Sequence, residues 1–304
     1  MMTHPMRRYF KPGLIHFMAY PDTMRGEGPI EETVRRIAMD EYFSAIELTW
    51  INDASVRRRV RAMCETAGLT VAYGAQPRLL TTGLNINDLD ASRRALVLAT
   101  LKEGIDEAYE LGAQGFAFLS GRYDEASKRQ SFEALRDSTR ELCQYAAQKG
   151  DMRVALEVFD YDIDKKSLIG PTELALEFST LMRAECANFG LLVDLSHIPM
   201  LRETVEQAVL PLRGHIIHAH MGNTVTYDRS HPAYGDTHPR FGFPGGENGA
   251  EQLTHYLRAL LDIGYLNSEN PPILSFEVKP WGDEDSELVI ANAKRTLDEA
   301  WARV

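Results

Sequence analysis

The stretch FGLLVDL, from Phe189 to Leu195, carries one charged residue, Asp194, one place from its end. It is too short for a helix of ordinary length, and it lacks the apolar–polar alternation of a strand with one wet face. A short run that is apolar almost throughout fits a strand covered on both sides, as in a parallel sheet. What an acid does at the tip of such a strand is the question that follows.

Runs of the same kind recur along the whole chain: GLIHFMA from Gly13, AIELT from Ala45, LTVAYGA from Leu69, QGFAFLS from Gln114, RVALEVF from Arg153, HIIHAHM from His215 and ILSFEV from Ile273. Amphipathic helical patterns fill the gaps, from IEETVRRIAMDEY and ASVRRRVRAMCETAG to LRETVEQAVL and SELVIANAKRTLDEAW. Several are predicted to stop at glycine, at Gly68, Gly112, Gly150 and Gly264. Eight strands in strict alternation with eight helices predict an α/β fold, a single (β/α)8 TIM barrel over residues 1–304. The rival, a doubly wound sheet for a dinucleotide, lacks a GxGxxG after the first strand. No linker or low-complexity tract divides the chain, and the loop after strand seven is long.

The formal net charge of −11 sets the chain against polyanionic partners, so neither nucleic acid nor an anionic membrane surface is expected. No apolar run approaches the ~20 residues that span a bilayer, and MMTHPMRRYFKPG has no secretory apolar core. Cys64, Cys143 and Cys186 are far apart and form no CxxC, which predicts reduced core thiols and a cytoplasmic setting.

Active sites of such barrels sit at the carboxyl ends of the strands, so the polar residues there carry the information. Strand five ends with Glu157, strand six with Asp194, strand seven with His220 and strand eight with Glu277. Three carboxylates crowded into one enclosure raise one another's pKa, a conflict that a divalent cation removes. Oxygen ligands with one imidazole suit Mn2+, Mg2+ or Co2+ better than a thiolate-rich zinc site does. The alternative is a set of ion pairs with Lys165, Lys166 or Lys279. His197, three residues beyond Asp194, reads as a substrate contact or as part of a helix cap. His218 lies on the face of His220, one layer below, as core or as function; His215 faces away. Glu47 at the end of strand two and His16 within strand one either line the pocket or are internally paired.

Strand ends reading LEV, LVDxxH, HxH and FEV, in that order, resemble the xylose isomerase-like superfamily of sugar phosphate isomerases and epimerases, over nearly the whole chain. The resemblance implies that Glu157, Asp194, His220 and Glu277 bind one divalent ion, with Mn2+ foremost, and that His197 holds a substrate oxygen. It also implies that Glu157 and Glu277 exchange a proton on the carbon beside a sugar carbonyl. The segment TVTYDRSHPAYGDTHPRFGFPGGENG after strand seven is longer than a barrel loop requires and brings His231, Tyr234, Asp236, His238 and Arg240 near the pocket. Gln76, in YGAQPRLL with Tyr73, points the same way.

These loops also resemble the large subunit of bacterial C-glycoside deglycosidases, members of the same superfamily. That likeness implies a carbon–carbon lyase acting on 3-oxo C-glycosides, a histidine base and a small β-rich partner subunit. The expected function is therefore a metal-dependent sugar or keto-sugar isomerase or epimerase, with the lyase as the alternative. The substrate is expected to be a sugar or glycoside, and the assembly an oligomer. An apurinic-site endonuclease is disfavoured by the charge and by YGAQ and FLSG, which supply no further metal ligands at strands three and four. A non-catalytic sugar-binding barrel would share the pocket without turnover.

Overall fold

A computed structural model describes residues 4–304; the opening MMT of the amino-terminal reading lies outside them. Among the described residues, β1 (Lys11–Ile15), β2 (Ala45–Leu48), β3 (Thr70–Gly74), β4 (Ala113–Leu119), β5 (Arg153–Glu157), β6 (Phe189–Asp194), β7 (Ile216–Gly222) and β8 (Ile273–Glu277) form a closed barrel in chain order. All neighbours are parallel, and β1 pairs with β8 to close it. β6 is buried at every position, as its composition requires. Closure leaves no unpaired strand edge, so every apolar strand is covered by the barrel interior on one face and by helices on the other.

The helices are α1 (His16–Ala19), α2 (Ile30–Met39), α3 (Ala54–Ala67), α4 (Gln76–Leu80), α5 (Ala91–Glu110), α6 (Lys128–Lys149), α7 (Thr172–Glu185), α8 (His197–Leu201), α9 (Val205–Val209), α10 (Ala250–Asp262) and α11 (Ser286–Trp301). The longer ones form the outer layer, each burying an apolar stripe such as Ile30, Val34 and Ile37 of α2. Local chemistry sets their limits. Asp53 accepts from the backbone N–H groups of Ser55 and Val56 at the start of α3, and Gly68 ends it in the left-handed conformation at φ 69°. Gly150 also ends its helix, α6, but without the left-handed turn. Its φ of 168° is extended, and what it lacks is room, since a Cβ would lie 2.9 Å from the ring of Tyr109.

Three one-turn helices, α1, α4 and α8, follow β1, β3 and β6 at the carboxyl mouth; the first two were not legible as elements, while α8 begins where His197 was read as part of a helix cap. Because of the first, β1 ends at Ile15, and His16 opens a helical turn instead of lying within the strand. His16 is buried away from the mouth with a ring nitrogen 2.7 Å from Thr33 Oγ1. Burial lowers its pKa to about 3. The folded state thus binds a proton less readily than the unfolded chain, whose histidine titrates near 6.5. The contribution is fully present above pH 6.5 and is lost as pH falls toward 3. Urea titrations should show a loss of roughly 3 kcal/mol by pH 4 from this group, and His16→Gln should flatten that part of the profile.

β7 departs from simple alternation. Leu191 pairs with Ile216 and Leu192 with His218, so one extra residue, Ile217, is accommodated in β7. Ile217 packs inside the barrel with Ala117, Ala155 and Leu192. His218 and His220 then face the interior together, while His215 bonds Ser179 of α7 outside, as the alternation suggested. The three cysteines are free and buried. No described helix is long and apolar enough to cross a membrane.

Candidate metal centre and substrate pocket

The ends of β5, β6, β7 and β8 bring Glu157, Asp194, His220 and Glu277 together, with one ligand atom of each within 4.8 Å of the others. All four residues are buried. His220 Nδ1 lies 2.8 Å from Glu277 Oε2 and 3.8 Å from Glu157 Oε1. Among the described residues no lysine or arginine pairs with Glu157, Asp194 or Glu277; the basic groups beside them are imidazoles. Lys165 instead reaches Asp164 and Asp236, each at 2.9 Å. The ion-pair alternative therefore does not account for these acids.

Burial and the charge of Glu277 push the Asp194 carboxyl above its ordinary range. Glu157 Oε1 and Asp194 Oδ2 are buried without a hydrogen-bond partner. Orphaned carboxylate oxygens in such an enclosure are costly, and a divalent cation satisfies both at once. Three carboxylates and one imidazole are a donor set for a hard or borderline ion, so the residues fit the expected metal. Two further groups lie close enough to share an ion, Glu47 with His218 and His220, and Asp194 with His197 and His238. In the first, the facing ring nitrogens are already engaged by Glu47; in the second, His197 is committed through Val158 O and Asp236, and only His238 Nδ1 is free.

Around the centre, Gln76 at the start of α4 donates from Nε2 to Glu157 Oε2 at 2.6 Å. Gly74 makes room for this, because a Cβ there would stand 2.8 Å from Gln76 Oε1 and 2.9 Å from Phe17. Glu47 lies beneath His220, bonded to His220 Nε2 at 3.2 Å and to His218 Nε2 at 2.7 Å. Burial alone would raise the Glu47 carboxyl, but the charges of His218 and His220 hold it well below the usual range.

The long loop, residues 223–249, is a fixed wall. Asn223 opens it, donating to Arg240 O at 2.9 Å and accepting from Asn248 N at 2.7 Å. The loop delivers Asp236 and His238 to the centre. Asp236 Oδ1 accepts from His238 Nε2 at 2.7 Å and His197 Nε2 at 3.1 Å, and Oδ2 takes Lys165. Burial opposes the charge on Asp236, yet His238 and Lys165 keep its carboxyl well below the usual range. His197 also donates from Nδ1 to Val158 O at 2.9 Å and stacks on Phe159, so both of its N–H groups are committed to the protein. Burial would lower its pKa, but the bond to Asp236 with the charges of Asp236, Asp194 and Glu157 holds it at about 10. Besides His220, the histidine that lines the cavity is His238, whose Nδ1 is buried without a partner.

The other loop residues lie elsewhere. His231 turns back on its own segment, accepting from Ala233 N at 3.0 Å and meeting the ring of Phe243. Arg240 bonds Glu284 at 2.9 Å, and neither residue lines the cavity. Of the loop residues expected near the pocket, Asp236 and His238 are the two that line the cavity.

The cavity above the centre holds about 180 Å³ and has two unlike walls. One is polar, with Glu47, Gln76, His220, Asp236, His238 and Glu277. The facing wall is apolar and includes Ile15, Phe17, Met18, Met24 and Leu80. Ile15, Phe17, Met18 and Met24 form a cluster separate from the main core. Reading the first strand through to Ala19 concealed this wall, because only the turn of α1 carries Phe17 and Met18 across the mouth.

A closed barrel of eight parallel strands, with acids and imidazoles gathered at its carboxyl mouth, defines the class of protein. The chain belongs to the xylose isomerase-like TIM barrel family, whose profile matches residues 38–298. Its fold is that of several solved structures. D-psicose 3-epimerase with D-tagatose from Clostridium cellulolyticum H10 is 16% identical with a TM-score of 0.69, over 96% of this chain and 99% of that one. An L-ribulose 3-epimerase is 18% identical with a TM-score of 0.71, over 97% and 96%. The 3-keto-D-glucoside 4-epimerase from E. coli is 16% identical with a TM-score of 0.65, over 96% and 99%. No curated protein matches the chain in sequence.

Proposed function

We propose that this chain is a divalent-metal-dependent isomerase or epimerase of a sugar or keto sugar. The observation that carries the reading is the buried group of Glu157, Asp194, His220 and Glu277, with Glu157 Oε1 and Asp194 Oδ2 unbonded. These four would hold the ion, Mn2+ foremost and Mg2+ or Co2+ otherwise. When bound, it supplies positive charge that draws density from a substrate carbonyl and makes the neighbouring C–H acidic. Glu157 and Glu277, from separate strands, take the proton from one face of that carbon and return it to the other. Gln76 donates to Glu157 Oε2 and so fixes the carboxylate, with its unbonded Oε1 toward the other ligands. The apolar wall keeps water out, which raises the basicity of both carboxylates. His238, with its free Nδ1, holds a substrate oxygen in place of the committed His197.

The family membership and the epimerases that share the fold support this reading, and the buried reduced cysteines support a cytoplasmic setting. In D2O with Mn2+, a ketohexose or a 3-keto-glucoside should exchange the hydrogen beside its carbonyl, followed by proton NMR. A metal-loaded chain that exchanges none across such a panel overturns the reading.

The apolar wall favours one second reading, the large subunit of a C-glycoside deglycosidase. Met18, Met24 and Phe17 suit an aromatic aglycone better than the hydroxyls of a free sugar. In that reaction the base takes one proton beside the 3-oxo group. The electron pair then moves to break the bond to the aglycone carbon, which takes up a proton. His238 is the candidate base. His238→Asn separates the two readings. For the isomerase, KM should rise on the order of tenfold with kcat little changed, whereas for the lyase aglycone release should fall on the order of 10³-fold. The assay is aglycone release from a 3-oxo C-glucoside, with and without a small β-rich partner subunit.

A further inference from the structure

We propose that Glu47 is a positioning residue that fixes the tautomer and tilt of His220, and that His218 holds Glu47 in place for this purpose. The proposal rests on His220 being a ligand of the ion in the reading above. An imidazole that binds a metal through one nitrogen carries its proton on the other, and the group accepting that proton sets the ring's orientation. His220 Nδ1 faces the carboxylates of Glu277 and Glu157, while Nε2 faces Glu47 Oε2 at 3.2 Å. Glu47 thus selects the form with the proton on Nε2 and a lone pair on Nδ1, directed at the upper cluster.

Glu47 would be a poor anchor if it were free to turn, but it is not. Its side chain is 2% exposed, and its other oxygen is taken by His218 Nε2 at 2.7 Å. His218 reaches it because the extra residue at Ile217 brings His218 into register with Leu192 and so to the interior. The rings of His218 and His220 then stand nearly perpendicular, at 86° with centroids 5.1 Å apart, so one carboxylate bridges two edges.

The same three side chains are close enough to hold an ion themselves. The upper cluster is the better assignment, because both Glu47 oxygens already accept from imidazoles. The orphaned oxygens, Glu157 Oε1 and Asp194 Oδ2, belong to the group that His220 meets through Nδ1.

The test measures Co2+ affinity and stoichiometry by calorimetry, with the visible spectrum of the bound Co2+ as a second readout. Glu47→Gln should bind one ion per chain some 10- to 100-fold more weakly with an altered spectrum. His218→Gln should shift both readouts the same way by a smaller factor, which covers the case in which the first variant folds poorly. An unchanged affinity and spectrum in Glu47→Gln overturns the proposal. So does loss of binding in Glu47→Gln and His218→Gln with full binding kept in Glu157→Gln, since the ion would then sit in the lower group. If the parent chain binds no Co2+, the metal reading fails and takes this one with it. If it binds Co2+ as described but turns over no sugar, only the assigned reaction fails.

Discussion

Glu157→Gln should abolish turnover, by on the order of 10³-fold or more in kcat, while leaving the metal-free fold intact. The substitution keeps the shape of the side chain but removes one of three carboxylates that crowd a single imidazole. Metal-free protein should therefore unfold at the same temperature or slightly higher, because like-charge repulsion at Asp194 and Glu277 is relieved. The parent chain, by contrast, should gain on the order of 5 °C in Tm when an ion is added at a hundred times its Kd. The variant should lose that gain. Thermal melts with and without Mn2+, together with the deuterium exchange assay, check all three statements. Retained exchange in this variant would remove Glu157 from the proton path.

Asp236→Asn should damage both stability and substrate binding. Asp236 is the single acceptor shared by His197, His238 and Lys165, and its side chain is only 5% exposed. Removing one member of a buried charged group leaves its partners uncompensated, at a cost of about 3 kcal/mol where one partner is still partly solvated. Tm should fall on the order of 6 °C. The ring of His238 loses its anchor in the same step, so KM should rise by up to about tenfold, as for His238→Asn, even where the protein is folded. Restoring Tm with a stabilising background without restoring KM would separate the two effects.

The barrel was legible because its signals are local and repeated. Each strand is a short apolar run, and the residue at its tip is placed by the strand itself, so Glu157, Asp194, His220 and Glu277 could be read directly. Their neighbours depend on longer-range geometry. The committed N–H groups of His197 follow from Val158 just beyond β5 and Asp236 in a distant loop, which no spacing reveals. Arg240 and His231 were expected at the pocket because their loop is near it, but the loop folds on itself and its side chains divide between Glu284, Phe243 and the centre. His16 was misread for a different reason. HFMA continues an apolar strand pattern, and only the backbone turn after Ile15 shows that the strand has ended.

The extra residue at Ile217 has a bearing on how His220 is aimed. Elsewhere in a barrel, a one-residue slip exchanges the inward and outward faces of a strand from the slip onward. In β7 the slip is already absorbed below His218, and pairing with β6 and β8 sets the register above it. The inward aim of His220 is therefore set by the neighbouring strands and not by counting residues from the foot of its own strand.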